Sequence, residues 1–294
     1  PYLKRIKEKI IESILFICAL VTVLTTLGII WVLLSESYSF FSEVSLGEFL
    51  TDKEWTPLFS QKHFGIMPLV TGTLLTTFIA ICVALPMGLT IAVYLNEYAP
   101  KGIRKTVKPI LEILAAVPTV VYGFFALVVV TPFLQSIIPG LSGFNALSPG
   151  IVMGIMIIPF ISSLSEDALA AVPKTLREAS YGMGATKLQT SFKVLIPAAS
   201  SGIIASVILA LARAIGETMI VAIAAGQQPR LTFDPTVPVE TITTYIVQVS
   251  MGDVPHGSLE YKTIFAAGIT LFALTFLLNN ISFWINKRYQ QKYE

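Results

Sequence analysis

Six runs of about twenty or more mostly uncharged, apolar residues leave this chain few folds to choose from: Ile10–Leu34, Met67–Leu95, Pro109–Leu134, Leu147–Ser165, Ala198–Gly226 and Thr263–Asn286. Roughly 20 such residues let a helix cross the hydrocarbon core of a bilayer. Backbone amides find no water there, so a spanning segment must close its hydrogen bonds inside a helix or a barrel. These runs lack the two-residue alternation of barrel strands. Composition agrees, because 54% hydrophobic and only 13% charged residues, with a mean hydropathy of +0.75, exclude a soluble globule of 294 residues. The expected fold class is all-α, a polytopic membrane bundle of six transmembrane helices. The first run has no small-residue cleavage site after a short apolar core, so it is expected to stay as an anchor. The expected organisation is an anchor helix and outer loop over 1–66, followed by a transmembrane domain over 67–294 with a polar inner segment at 166–193.

Charge placement orients the bundle. Fifteen of the twenty Lys and Arg residues fall on one side: Lys4, Arg5, Lys7 and Lys9; Lys101, Arg104, Lys105 and Lys108; Lys174, Arg177, Lys187 and Lys193; Lys287, Arg288 and Lys292. The other side receives Lys53, Lys62, Arg230 and Lys262, and Arg213 lies within a span. The crowded side is expected to be cytoplasmic, with both termini there. Basic residues scattered over four loops and ends set topology and do not form a nucleic-acid footprint, so no nucleic-acid partner is expected. Cys18 and Cys82 lie in spans as ordinary packing residues, and His63 and His256 stand in outer loops without spaced ligand partners, so neither a disulfide nor a metal is expected.

Three segments interrupt the apolar pattern. The outer loop 35–66 carries Phe40, Phe41, Phe49 and Trp55, residues suited to the lipid headgroup zone. The inner segment from Glu166 to Lys193 is too polar to span and is expected to form one or two short surface helices separated at Pro173. The outer loop 227–261 holds Pro229, Pro235, Pro238 and Pro255, which favour extended, irregular backbone.

Within the inner segment, residues 178–197 read EASYGMGATKLQTSFKVLIP. Glu178, Ala179 and Ser180 are followed by Gly184 and by a Val194-x-Ile196-Pro197 close. This spacing resembles the EAA loop of ABC-importer permeases, with Ser180 in the third small position and Val194 and Ile196 as conservative replacements. The resemblance extends over most of the chain. PLVTGTLLTTFIAICVALPMGLTIAVYLNEYAP from Pro68, LEILAAVPTVVYGFFAL from Leu111 and ARAIGETM from Ala212 are similar to permease subunits of phosphate-specific ABC importers. FLTDKEWTPLFSQKHFG and Glu217-Thr218-Met219 favour the PstC type over the PstA type. The resemblance implies a type I ABC-importer permease fold and a heterodimer with a PstA-type sister subunit. It also implies two ATP-binding subunits seated on the loop, which hold the ATP and Mg²⁺ that this chain does not, and an extracytoplasmic phosphate-binding protein. Glu178, Ala179, Ser180, Gly184 and Pro197 then become the residues that couple to the ATPases, and phosphate becomes the substrate.

In the fifth run, Arg213 and Glu217 stand four residues apart, which puts both on one face of a continuous helix near mid-membrane. A charge there costs about 3 kcal/mol on insertion scales, so it needs a polar cavity or a partner charge. Two readings stand: a self-neutralising pair that locks helices together, or a pathway in which Arg213 offers its guanidinium fork to phosphate oxygens while Glu217 orients it, with Thr218 beside them. Small residues around the pair suit close helix packing. Thr71, Thr73, Thr76 and Thr77 are expected to bond their own backbone. Pro86, Pro118 and Pro159 are expected to bend their spans, which shapes the bundle or gates it.

Enzyme classes find little support. Gly182-x-Gly184-x-x-Lys187 lacks the spacing and the preceding strand of a phosphate loop, and there is no nucleophile elbow. The chain is therefore not expected to be an enzyme. An importer of another oxyanion such as molybdate, sulfate or phosphonate is the nearest alternative; a secondary transporter or an intramembrane phosphotransferase is more distant.

Overall fold

The computed structural model describes residues 2–289. Of the basic residues assigned above to one end, Lys292 lies outside the described residues, as do the side chains of Lys4, Arg5, Lys7, Lys101, Lys287 and Arg288. The architecture is a helical bundle. Among the described residues, five helices are long and apolar enough to cross a membrane, and a sixth span is reached if one bent pair is counted as a single crossing.

The elements in order are α1 (Tyr2–Phe41), α2 (Leu46–Thr51), α3 (Met67–Val93), α4 (Lys101–Ala116), α5 (Thr119–Phe125), α6 (Thr131–Gln135), α7 (Leu147–Ala170), α8 (Lys174–Gly182), α9 (Lys187–Thr190), α10 (Ile196–Ala198), α11 (Ser200–Ile215), α12 (Met219–Ala224), α13 (Ile242–Met251) and α14 (Leu259–Tyr289). Wide π-type turns at Tyr94–Tyr98, Ala126–Val130 and Ser191–Leu195 extend or join neighbouring helices. We call the end that carries α8 and α9 the basic end.

Helices α3 and α7 form the central pair. Gly150 and Gly154 stand one turn apart on α7, and a Cβ at either would strike α3: that of Gly154 would lie 2.8 Å from the Ala80 carbonyl, and that of Gly150 would lie 2.8 Å from Ile79. Bare backbone at these positions lets the helices approach closely, the small-xxx-small device of membrane interfaces. Around this contact lies the main core, with Ala80, Ala84, Val152, Met153, Met156, Ile157 and Ile161 packed against Ala210 and Ala214 of α11 and Ile220 and Ala224 of α12. A second core at the basic end joins Ala92, Leu169, Val172, Leu195, Ala199 and Ile203.

A third core fills the opposite end and corrects the expectation for the first outer loop. Phe40, Phe49 and Trp55 are buried with Leu69, Tyr245 and Val249. Edge-on ring contacts link Phe40 to Phe49, Phe49 to Trp55 and Trp55 to Tyr245, at centroid separations of 5.0 to 6.1 Å. These rings build a folded cap because aromatic pairs bury more surface against one another than against headgroups. The second outer loop is also more ordered than its prolines suggest. Helix α13 falls between Pro238 and Pro255, opened by Thr241, whose hydroxyl accepts from the Thr244 amide. His63 stands in an ion pair, its Nδ1 2.9 Å from Asp52, and that hydrogen bond raises its pKa.

The third run is divided. Residues 109–116 belong to α4, a strongly amphipathic helix, and the apolar span is Thr119–Ile137. Pro118 therefore opens the spanning helix from outside it instead of bending it from within. Pro86 and Pro159 do lie inside helices, as expected. The fourth run continues as α7 past Ser165 to Ala170, carrying Glu166 into the bundle, and Pro173 separates it from α8. Thr71, Thr73 and Thr76 donate to the carbonyls of Met67, Leu69 and Gly72, as expected, whereas the buried Thr77 hydroxyl finds no partner.

Replacing Gly154 by Leu should destabilise the bundle by about 1–3 kcal/mol through overpacking against α3. Gly102→Leu, where nothing lies within 4 Å, should not. Thermal unfolding of the two detergent-purified variants checks this, with a lower Tm expected for the first alone.

Candidate functional site

Two places gather the residues singled out in the sequence, the tip at the basic end and the broken span above it. At the tip, α8 turns into α9 through Gly184, whose φ of +80° is a left-handed conformation that a side chain strains. Thr186 and Gln189 form a reciprocal capping box that starts α9. Ser180 Oγ lies 2.9 Å from Thr190 Oγ1, closing the two arms of the turn on each other. Pro197 stands in the single turn of α10, where the chain bends by 74° between Lys187–Ala198 and Ser200–Ile215. Glu178, Ala179 and Gly184 are exposed, and beside them Met183 is 89% and Leu188 58% exposed. Two large apolar side chains left open next to a small-residue turn make an unpartnered contact surface.

The tip is anchored to the bundle. Arg177 of α8 pairs at 3.0 Å with Glu97, which is nearly buried just beyond the end of α3. The Tyr181 hydroxyl reaches the same carboxylate, and burial followed by the Glu97 charge pushes the Tyr181 phenol up. A second anchor lies alongside. Glu166, fully buried on α7, is paired with both Arg104 and Lys108 of α4. Lys108 also reaches Asp167 at 3.1 Å, and the Glu166 carboxylate beside it is the main reason the Lys108 ammonium titrates above its ordinary range.

The fifth run is not one continuous helix. Helix α11 ends at Ile215 with Gly216 as its cap, and α12 begins at Met219. The expectation that Arg213 and Glu217 share a helix face is therefore overturned. Glu217 is buried and turns the other way, its Oε1 accepting from the amides of Met219 and Ile220 at 3.1 and 3.4 Å. It satisfies amides freed by the break. Its own carbonyl accepts from the Thr243 hydroxyl, tying the break to α13. Thr218 occupies the break and donates weakly to the Gly216 carbonyl. Arg213 is exposed at the end of α11, level with the main core to which its neighbour Ala214 belongs. Its guanidinium lies 4.5 Å from the Phe160 ring centroid of α7, and among the described residues it meets no carboxylate. Phe160 in turn walls a cleft of about 390 Å³ between α4 and α7, shared with Lys108, Glu112 and Ser163.

Residues 84–292 match the family model described as the inner membrane component of binding-protein-dependent transport systems. The chain belongs to this permease family. The match takes in the tip, both anchors and the broken span. Among curated relatives, the probable ABC transporter permease protein YqgH of Bacillus subtilis is 38% identical over 234 residues, covering 80% of this chain and 75% of the relative. The phosphate transport system permease protein PstC of Mesorhizobium japonicum is 36% identical over 249 residues, 78% of this chain and 75% of the relative. The probable PstC of Methanocaldococcus jannaschii is 32% identical over 250 residues, 79% and 78% of the two chains. In fold, a bacterial alginate ABC transporter in complex with its alginate-bound periplasmic protein superposes with a TM-score of 0.66 at 18% identity, over 96% of this chain and 97% of that one. The inward-facing MetNI methionine transporter gives 0.56 at 22% identity, over 77% and 95%. The permease is a multi-pass protein of the inner membrane with the type I ABC-importer fold.

The permease's two anchors escape sequence reasoning. Glu97 and Arg177 are eighty positions apart, and Arg104, Lys108 and Arg177 look like surface charges that set topology. One signal was available: Glu166 directly follows an apolar run with no break in helical propensity, so a carboxylate had to be carried inward. Removing one partner of a largely buried ion pair is costly because the other is left uncompensated. Arg177→Ala should therefore make amides 174–182 exchange about ten- to thirtyfold faster in hydrogen-exchange mass spectrometry, and the swap Glu97→Arg with Arg177→Glu should recover part of that protection.

Proposed function

We propose that this chain is one transmembrane subunit of an ATP-driven importer of inorganic phosphate. It pairs with a PstA-type sister subunit, receives an extracytoplasmic phosphate-binding protein at the aromatic cap, and rests its basic end on two cytoplasmic subunits that bind ATP and Mg²⁺. Both termini then lie in the cytoplasm, the orientation favoured by the basic residues. The single observation that carries the reading is Arg213, a guanidinium on an exposed face of the bundle level with the main core, which meets no carboxylate among the described residues. Lipid is a poor solvent for such a charge, so the face belongs to a seam between subunits and to an anion passing along it. Phosphate as that anion is supported by the relatives named phosphate transport system permease proteins.

Glu178, Ala179, Ser180, Gly184 and Pro197 form the knuckle that the ATPases grip, with Met183 and Leu188 as its apolar contacts. Displacement of the knuckle travels along α8 through Arg177 to Glu97 and so to α3, and through α10 into α11. Because α3 and α7 are locked by close backbone contact, they move as one body against the broken span. Arg213 then meets phosphate oxygens by charge-assisted hydrogen bonds, while Glu217 preserves the break and Thr218 lies next to it.

Two measurements test this. In vesicles holding this chain, its sister, the ATPases and the binding protein, labelled phosphate should accumulate with ATP, and excess sulfate should not compete. Arg213→Ala should reduce the rate about tenfold to a hundredfold, as expected for losing a charged hydrogen-bond partner of about 1.5–3 kcal/mol. Uptake at the wild-type rate would remove the pathway role. Gly184→Trp should abolish uptake while leaving membrane insertion intact, because the left-handed backbone and the contact surface are both lost; normal uptake with normal insertion would count against coupling at the knuckle.

A further inference from the structure

At the end of the bundle opposite the knuckle, a cavity of about 290 Å³ opens between the two outer loops. Trp55, Tyr245 and Glu240 line it and are each at most 2% exposed, and Leu58 and Phe59 line it as exposed residues. Glu240 is held from several sides. A Cβ on Gly72 of α3 would lie 2.1 Å from the Glu240 carbonyl oxygen, and the flanking residues bond to the bundle through Val239 N to the Ala225 carbonyl and Ile242 N to Thr73 Oγ1, each at 3.1 Å. Its backbone is fixed this way, and the residue is buried. Its Oε1 is buried and has no hydrogen-bond partner.

A buried carboxyl group without a partner is costly, and the mechanism above makes no use of it. Among the described residues, no Lys or Arg lines the cavity. The groups with charge or titration nearby are already engaged: the Tyr245 hydroxyl with Thr263, Glu260 of α14 with Lys62, and Arg230 with Gln228. Glu240 is thus a hydrogen-bond acceptor and latent anion beside two aromatic rings, the combination that recognises an ammonium or guanidinium group. At about 290 Å³ the space lies at the lower limit of small-molecule sites and is closer to one side chain than to a whole ligand.

We propose that this cavity receives one lysine or arginine side chain of the extracytoplasmic binding protein, its cation meeting the Glu240 carboxylate against Trp55 and Tyr245. The proposal rests on the importer reading and adds a docking contact to it. Burial pushes the Glu240 carboxyl up to about 8, so near neutrality this carboxyl is mostly protonated. A cation favours the ionised form, so docking tightens as pH rises through 8.

The test uses the complete importer in nanodiscs, titrated with phosphate-loaded binding protein at pH 6.5 and 8.5. The wild-type Kd should fall at least fivefold on going to pH 8.5. Glu240→Gln, which keeps the side-chain shape, should weaken docking at least tenfold at pH 8.5 and lose that pH step. Ethylguanidinium should compete with docking on the wild type. Among single Lys→Ala and Arg→Ala changes in the binding protein, one should match the Gln variant and add nothing to it. Docking of Glu240→Gln as tight as wild type at pH 8.5, a surviving pH step in that variant, or no competition by ethylguanidinium overturns the proposal. The last needs no variant to fold. Wild-type phosphate uptake in the same nanodisc-matched vesicles separates the two readings, since uptake with an indifferent Glu240 sinks the cavity alone, and absent uptake sinks the importer reading.

Discussion

The close backbone contact between α3 and α7 is the constraint on which the rest of the structure depends. Lipid supplies no hydrophobic force to hold two apolar helices together, so the pair must rely on dispersion between surfaces that fit. Gly150 and Gly154 provide the fit on α7, with Ile79 and the Ala80 carbonyl opposite. Because that seam is stiff, α11 and α12 pack onto it as separate pieces. The interruption between them is then tolerated, since amides exposed by a break in hydrocarbon must be satisfied by the protein itself. Glu217 does this, and its burial follows from that duty.

Charge is distributed by the same logic. Each carboxylate carried into the basic end is met by cations from a neighbouring element: Glu166 by Arg104 and Lys108, Glu97 by Arg177. These pairs are poor evidence of added stability, because desolvation offsets much of the attraction. They do fix which helix lies against which, and so attach the surface elements α4 and α8 to α7 and α3. Arg213 is the contrasting case, a cation that meets no carboxylate among the described residues and rests against the Phe160 ring instead.

Most of the fold was legible in the sequence because hydrocarbon enforces so simple a rule. Five of the six apolar runs correspond to spanning helices within about two turns at either end, apart from the start of the third, where 109–116 proved amphipathic. The knuckle was legible too, since a turn needing Gly184 and a polar segment between spans are local properties. What failed was everything decided by long-range contact. A four-residue spacing places Arg213 and Glu217 together only if the helix continues, and Gly216 with Thr218 ends it. Phe49 and Trp55 resembled interfacial anchors until Tyr245, nearly two hundred residues away, supplied a surface to pack against. Glu240 stood among prolines that suggested open loop, and its burial depends on Gly72 of another element.

The elbow at Ala199 has a mechanical consequence. It joins a surface arm, Lys187–Ala198, to a membrane arm, Ser200–Ile215, at 74°, so the two behave as a bell crank. Arg213 sits fourteen residues beyond the corner, roughly 21 Å at the helical rise per residue. Rotating the crank by about 10° therefore sweeps the guanidinium through roughly 4 Å, more than the length of a hydrogen bond. A small tilt at the surface is therefore enough to move that cation by more than its own hydrogen-bonding reach.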